Sequence, residues 1–556
     1  MTRRAPDSLE APAKPRGATR MPLALAMLAV SSLSFAGCIT TGPHQWLQNG
    51  LKVGPEYGTP PAPVATDWIQ AGDPHVQPTR LPDGNWWNLF NDPTLTALVN
   101  LAYDQNPNIR VVGARVLEAR AGQAISVGNL LPQSQQALAT YSRVALNSNM
   151  PIINQLSKTL APGSTSFSNW FYGFNLSWEL DLWGRLRRSV ESSNASLDAS
   201  VEDYDAALVT LFADIASNYV QYRVAQQRIK IAQDNVRIQE GVLALASEKF
   251  RVGTTTRLDV EQARTVLEQT RSTIPALEIT LGQANDTLCT LVGIPPRDLA
   301  ADLGPGSPLG SPPMPNVPEW VAAGIPADLL RRRPDVRSAE RQVAAQSAQI
   351  GVAEADLYPT LFINGTIGWD AESFSQAFSN KSVLGLLLPG FRWNILNYGR
   401  IVNNVRLQQS RLQEMIATYQ TKALSAGREV QIPLRGFLKS REQADDLAKS
   451  VTAATAATDV GVGQYRTGTI DFNRVFNLET TRVQQQDSLA NAQGNVALNL
   501  IEVYRALGGG WELRLNDENP PSHGAHAHVA ANSGPAERPA LAQAPENPPA
   551  AGGITR

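Results

Sequence analysis

The sequence predicts an α+β membrane protein built from a duplicated unit, with two very long helical hairpins and four membrane β-strands in each chain. Three observations carry this expectation. Leu186 to Phe250 holds no proline and only one glycine, Gly241; as a single helix it would run about 100 Å at 1.5 Å per residue. From Trp170 to Trp183 the pattern changes to strict alternation. Trp170, Tyr172, Phe174, Leu176, Trp178, Leu180 and Leu182 share one face, and mostly small or polar residues share the other. Finally, the unit recurs. Trp178 and Gly184-Arg185 return as Trp393 and Gly399-Arg400, and Arg251-Val-Gly-Thr254 returns as Arg466-Thr-Gly-Thr469. Leu291-Val-Gly293 returns as Ala506-Leu-Gly508, and each pair is 215 positions apart (393 less 178, 468 less 253). A repeat of this size is a duplicated domain-sized unit and not a solenoid period.

The 556 residues can bury a large core, and a formal charge of −2 implies no polyanionic partner such as nucleic acid. Two cysteines make no disulfide framework, and all five histidines (His44, His75, His523, His526, His528) lie outside the repeated body. No Ser/His/Asp set, metal-ligand spacing or phosphate loop is present, so neither an enzyme nor a cofactor is expected.

Residues 1–37 read as a signal peptide. Arg3, Arg4, Lys14, Arg16 and Arg20 form a basic start, and the apolar stretch 21–36 is too short to span a membrane as a helix. Phe35-Ala-Gly-Cys38 resembles a bacterial lipobox, which makes Cys38 the lipidated, palmitate-bearing N-terminus of the mature chain. The other reading is an ordinary signal peptide with an incidental cysteine. Ile39 stands where an aspartate is associated with inner-membrane retention, which points to the outer membrane.

Residues 38–84, rich in proline, glycine and threonine, read as an extended arm. The first repeat, 85–301, opens with helical pattern from Trp86 to about Asn129, broken at Pro107. A strand at 134–146, a loop at 147–168 and the aromatic strand follow. Their length suits a membrane strand of about 9–11 residues; a soluble sandwich would alternate in the same way.

The long helix comes next. One seam reads Val201, Leu208, Ile215, Tyr222, Ile229, Val236, Leu243 and Phe250; the other reads Tyr204, Leu211, Asn218, Ala225, Ala232, Gln239 and Ala246. A seven-residue repeat held this long means helices packed along their length, and the alanines call for close approach. Cys289 falls on an apolar helical stretch and reads as a small core residue.

After a linker at 302–324, the second repeat (325–511) gives a strand from Leu361 to Trp369 and a return strand from about Val383 to Asn397. Pro389 within it predicts a bulge or a strand end. Pro433 predicts a kink in the second long helix, or a joint between two segments. The tail, 512–556, reads as disordered, with His523, His526 and His528 solvated.

Four strands cannot close a membrane barrel, so a membrane reading requires a barrel shared between chains. Two, three or four copies would give 8, 12 or 16 strands. The chain also resembles the TolC-like outer-membrane efflux proteins, in the lipoprotein branch of OprM/NodT type. The resemblance covers roughly 53–511. It rests on Val53-Gly-Pro-Glu-Tyr57, Trp86-Trp-Asn-Leu-Phe-Asn-Asp-Pro93, Asn106-Pro107, Ile325-Pro-Ala-Asp-Leu-Leu-Arg-Arg-Arg-Pro-Asp335, Tyr358-Pro359, Gly399-Arg400, Tyr465-Arg-Thr-Gly468 and Ala506-Leu-Gly-Gly-Gly-Trp511.

It implies a homotrimer with a shared twelve-stranded barrel continued by a long α-helical periplasmic barrel. It further implies a passive exit duct for drugs or other small molecules. The duct would work with a periplasmic adaptor (membrane fusion) protein and an inner-membrane RND-type transporter, in contact with outer-membrane lipid. The alternatives are the outer-membrane component of a type I protein secretion system and, in another class, a coiled-coil periplasmic scaffold.

In the resembled family the hairpin tips meet the adaptor, which marks Arg251, Gly253, Arg466 and Gly468 as adaptor-contacting positions. Both glycines also suit a bare turn. Thr256 and Asp471 are good N-cap types at equivalent positions. Three residues on, Asp259 and Arg474 are again equivalent, so with Tyr465 they form a candidate periplasmic gate at one level of the tube. Asp259 equally fits a capping box with Thr256. After the second tip the chain departs from the family. Asn477 stands at a usually acidic position in Phe476-Asn-Leu-Glu479, which speaks against a carboxylate ring there.

Overall fold

The computed structural model describes residues 41–79, 84–145, 166–303 and 314–517. Met1–Trp511 forms one compact unit and Glu512–Arg556 a second, in which Leu513–Asp517 is a short helix. Cys38, most of the loop expected at 147–168 and the tail histidines lie outside the described residues.

Local chemistry sets the helix starts. In α1 (Pro93–Gln105) the Asp92 carboxylate accepts from the Thr94 and Leu95 amides. In α2 (Pro107–Gly128) Asn106 does the same for Asn108 and Ile109. Proline opens both, where its missing N–H costs nothing. The strands β2 (Ser134–Ala145) and β3 (Ser166–Leu180) follow the short β1 (Val76–Gln77) of the arm. Then come α3 (Arg185–Arg251, 67 residues) and its return α4 (Arg257–Val292). The linker contributes β4 (Val321–Ala322), which pairs in parallel with β1 and ties the arm to the linker. The second repeat supplies α5 (Pro334–Ala355), β5 (Thr360–Ala371), β6 (Val383–Arg392), α6 (Arg400–Thr467, 68 residues) and α7 (Phe472–Ala506).

Along α3 the two heptad seams divide the work by height. In the upper half Leu208, Ile215 and Tyr222 are buried. Towards the tip the small-residue seam takes over. Ala225, Ala232, Gln239 and Ala246 are buried, Ile229, Val236 and Leu243 only half-buried, and Phe250 exposed. Small side chains let the helices approach: a β-carbon on Gly494 of α7 would come within 2.5 Å of Val224 on α3.

A buried aromatic group joins the start of the first repeat to α7 and α3. Trp86 stacks on Tyr504 at 5.9 Å, and Trp87 meets Phe212 edge-on at 5.1 Å. Cys289 is fully buried, as its apolar surroundings predict.

The joint expected at Pro433 and the bulge expected at Pro389 are corrected. Helix α6 runs through Pro433 as a single element instead of two segments. The lost hydrogen bond costs about 3 kcal/mol, but Val430, Leu434 and Phe437 around it are all fully buried, and that packing holds the helix together. Pro275 sits inside α4 in the same way. In β6, Pro389 pairs with Ile363 in a register unbroken from Val383 to Arg392, with no bulge. The strand ends at Arg392, before the expected Asn397. The sheet order is β2-β3-β5-β6, so within one chain Pro389 lies on an edge strand.

Candidate functional site in the hairpin tips and the sheet

The two tips close identically. At the end of α3 the Gly253 amide donates to the Phe250 carbonyl and the Thr254 amide to Lys249, both at 2.9 Å. At the end of α6 the Gly468 amide donates to Tyr465 at 3.0 Å and the Thr469 amide to Gln464 at 2.9 Å. These are Schellman closures, which need a left-handed residue. Gly253 and Gly468 supply it with φ of 77° and 82°. A β-carbon on either glycine would meet nothing within 4 Å. Arg251 is exposed and, among the described residues, pairs only with Glu248 of its own helix; Arg466 is exposed too.

The return helices begin at the equivalent caps. Thr256 Oγ1 accepts from the Asp259 amide at 3.4 Å, and Asp471 Oδ1 accepts from the Arg474 amide at 3.0 Å. The Asp259 carboxylate is held locally by the hydroxyls of Thr255 and Thr256. Arg474 is exposed, with no side-chain ion pair among the described residues, so within one chain Asp259 and Arg474 do not meet.

Tyr465 is drawn into the tip core with Val242, Ala246, Val260, Ala263, Phe472 and Val475. Its ring packs edge-on against Phe472 at 5.4 Å, and the Lys249 ammonium lies over it at 5.1 Å. Burial raises its phenol pKa above the ordinary value; the hydrogen bond with Thr255 opposes that and the charge of Asp259 adds to it.

Sequence reasoning missed a polar seam higher up, between α3 and α7. The Glu479 carboxylate accepts from Arg482 at 2.7 Å, and both side chains are 3% exposed. Arg482 also donates to Asn235 of α3 at 3.2 Å, and Asn235 to Gln486 at 2.8 Å. Arg228 bridges to Asp487 at 2.7 Å. Burial raises the Glu479 carboxyl, with Arg482 opposing. So a carboxylate does stand two positions after Asn477, but it is buried and paired. A charged i, i+3 couple inside an otherwise heptad-patterned helix was its only sequence signal.

The sheet has two unlike faces. Cross-strand partners point to the same side. One face carries Trp170, Tyr172, Phe174, Leu176 and Trp178 of β3, with Ile363, Ile367 and Trp369 of β5. Leu387 and Phe391 of β6 share this side and are 67% and 68% exposed. The other face carries polar pairs: Ser177 donates to Asn364 at 2.8 Å and Thr366 to Asn175 at 3.0 Å. Among the described residues no helix is long and apolar enough to cross a membrane.

An exposed apolar sheet face, continued from one end by hairpins whose first helices run 67 and 68 residues, defines an outer-membrane channel protein with a long helical body. The chain belongs to the outer membrane efflux protein family, whose model matches residues 98–294 and 325–509. It is similar to the pyoverdine export outer membrane protein OpmQ of Pseudomonas putida, 31% identical over 439 residues, covering 78% of this chain and 89% of the relative. It is also similar to Nodulation protein T of Rhizobium leguminosarum bv. trifolii, 28% identical over 481 residues, with 85% and 97% covered. Among solved structures, the outer-membrane channel OprN matches with a TM-score of 0.76 at 29% identity, covering 83% of this chain and 99% of that one. The protein is an outer-membrane efflux channel component with a periplasmic helical fold.

Proposed function

We propose that three copies of the chain assemble a twelve-stranded barrel in the outer membrane, continued into the periplasm by a helical tube. Each chain is anchored by an acylated Cys38. The assembly is a passive duct: a periplasmic adaptor seats on the tips at Arg251, Gly253, Arg466 and Gly468, and an inner-membrane RND-type pump supplies the cargo. Asp259, Arg474 and Tyr465 form the periplasmic gate.

The observation that carries the reading is the order β2-β3-β5-β6. It leaves β2 and β6 as open edges on a sheet with an apolar face. Unpaired backbone groups cost several kcal/mol each in lipid, so these edges need partners from neighbouring chains. Moreover, all four strands join helices at the same end of the sheet: α2 leads into β2, β3 into α3, α5 into β5 and β6 into α6.

The test pairs single cysteines on β2 (Ala137 or Ala139) with one at Leu387 on β6, in cells. Disulfide-linked trimers that conduct in planar bilayers support the duct. Cross-links within one chain only, or no conductance, count against it. The name of the Pseudomonas putida relative supplies the first cargo to try, pyoverdine. Co-purification of the inner-membrane partner separates an RND-type pump from a type I secretion transporter.

A further inference from the structure

The loop between β5 and β6, residues 372–382, folds back on the sheet. Phe374 lies against Trp170 with ring centroids 5.1 Å apart, and Phe378 against Tyr172 at 5.3 Å. The two phenylalanines meet edge-on at 5.4 Å, and the Tyr172 hydroxyl donates to the Ala377 carbonyl at 2.6 Å.

Strand register turns these contacts into a direction. Trp170 pairs with Ala371, the last residue of β5, whereas Tyr172 pairs with Trp369, two residues further from the strand end. The chain from Phe374 to Phe378 therefore descends along the aromatic face instead of arching over the strand ends. Beneath it Tyr172 stacks on Trp369 at 5.1 Å and Trp170 meets Tyr141 at 4.6 Å.

Phe374 and Phe378 remain 58% and 67% exposed on their outer sides. Burying a phenylalanine side chain is favourable in proportion to the apolar area removed from water, and two of them left this exposed in water forfeit most of that gain. Their face is continuous with the membrane side of the sheet, at the end remote from the helices. Exposed polar residues, Glu372, Ser375, Gln376, Asn380 and Lys381, are interleaved with them. An apolar ring layer with polar neighbours suits the boundary between acyl chains and headgroups.

We propose that loop 372–382 is seated in lipid: Phe374 and Phe378 insert among the acyl chains of the outer leaflet, just beneath the headgroups, and hold the outer rim of the barrel at fixed depth. This rests on the reading of the sheet as a barrel wall. The loop is then a membrane anchor and not a cap over the bore.

The test attaches a nitroxide at Phe374→Cys or Phe378→Cys in full-length protein that also carries Cys289→Ala, reconstituted in phosphatidylcholine bilayers. The Cys289→Ala parent gives the background. Collision with lipid-dissolved oxygen is compared with collision with a water-soluble nickel chelate. Leu387→Cys reports the membrane face and Asn364→Cys the opposite one. Oxygen exceeding nickel several-fold at 374 and 378, as at 387, is the expected result. Nickel dominating at 374 and 378 while 387 still favours oxygen would overturn the lipid-seated loop and leave the channel intact. Shielding from both probes would overturn it in favour of a protein partner on this face. Nickel dominating at 387 as well would remove the barrel reading and the proposal with it.

Discussion

The Tyr465 hydroxyl lies 3.4 Å from the Thr255 hydroxyl, and this contact ties the tip of one hairpin to the tip of the other. Thr255 in turn donates to Asp259, so the three side chains form one chain across the two hairpin tips. Tyr465→Phe removes only the link, at about 1 kcal/mol. Tyr465→Ala also empties a buried aromatic site, at roughly 3 kcal/mol or more. Single-channel recordings should show a higher open probability in both variants, with the larger rise for alanine. Wild-type gating in Tyr465→Ala would rule out a role for this residue in closure.

A latch between Asp259 and Arg474 has to run between neighbouring copies, because within one chain Asp259 is occupied by Thr255 and Thr256. Asp259→Ala and Arg474→Ala should each raise open probability, and the charge-swapped double variant should recover part of the closed state. A single exposed pair is worth only about 0–1 kcal/mol, so the effect needs the threefold repetition. If both single variants conduct like wild type, the residues serve only as helix starts.

Side chains at Gly253 and Gly468 meet open space but a left-handed backbone. Each substitution by a bulky residue should cost about 1–2 kcal/mol locally and leave the trimer assembled. Adaptor capture by the purified channel should fall, and export with it. Undiminished capture with both positions substituted would confine the glycines to the turn.

Acid should loosen the start of α5. Burial alone would raise the Asp335 carboxyl, but hydrogen bonds and charge from Arg333 outweigh it, and the carboxyl titrates below its ordinary value. Arg333 also bridges Glu429 and donates to the Ala506 carbonyl, so it joins α5 to both α6 and α7. A depressed carboxyl adds stability above its unfolded value, near 3.9, and loses it as pH falls through the folded one. Asp335→Asn should therefore lower the melting temperature at pH 7, and the gap to wild type should narrow as pH falls through the range in which the folded carboxyl protonates. Parallel melting curves across that range would show that the pair contributes nothing.

Acylation of Cys38 is open to direct reading. Mass spectrometry of the mature N-terminus should give a chain that begins at a lipid-modified Cys38. Cleavage elsewhere, or an unmodified cysteine, removes the anchor.

What the sequence determined by itself is what short-range chemistry controls. The lengths of α3 and α6, the left-handed glycines at 253 and 468, the caps at Thr256 and Asp471 and the alternation of β3 each depend on a few neighbouring residues. The 215-residue repeat extended one reading to both halves. Only the tertiary structure decided matters that depend on which distant surfaces meet. It chose the alanine seam of α3 over Ile229, Val236 and Leu243 near the tip, where Ala246 packs with Val260 and Ala263 of α4 and Phe472 and Val475 of α7. It carried α6 on through Pro433 as one element, because fully buried neighbours outweigh one lost hydrogen bond. It placed Tyr465 beside Thr255, 210 positions away in the chain, and laid Phe378 on Tyr172. Local patterns specify a helix or a strand through its own backbone; which faces end up in contact is a property of the whole packed set, and no short window of residues contains it.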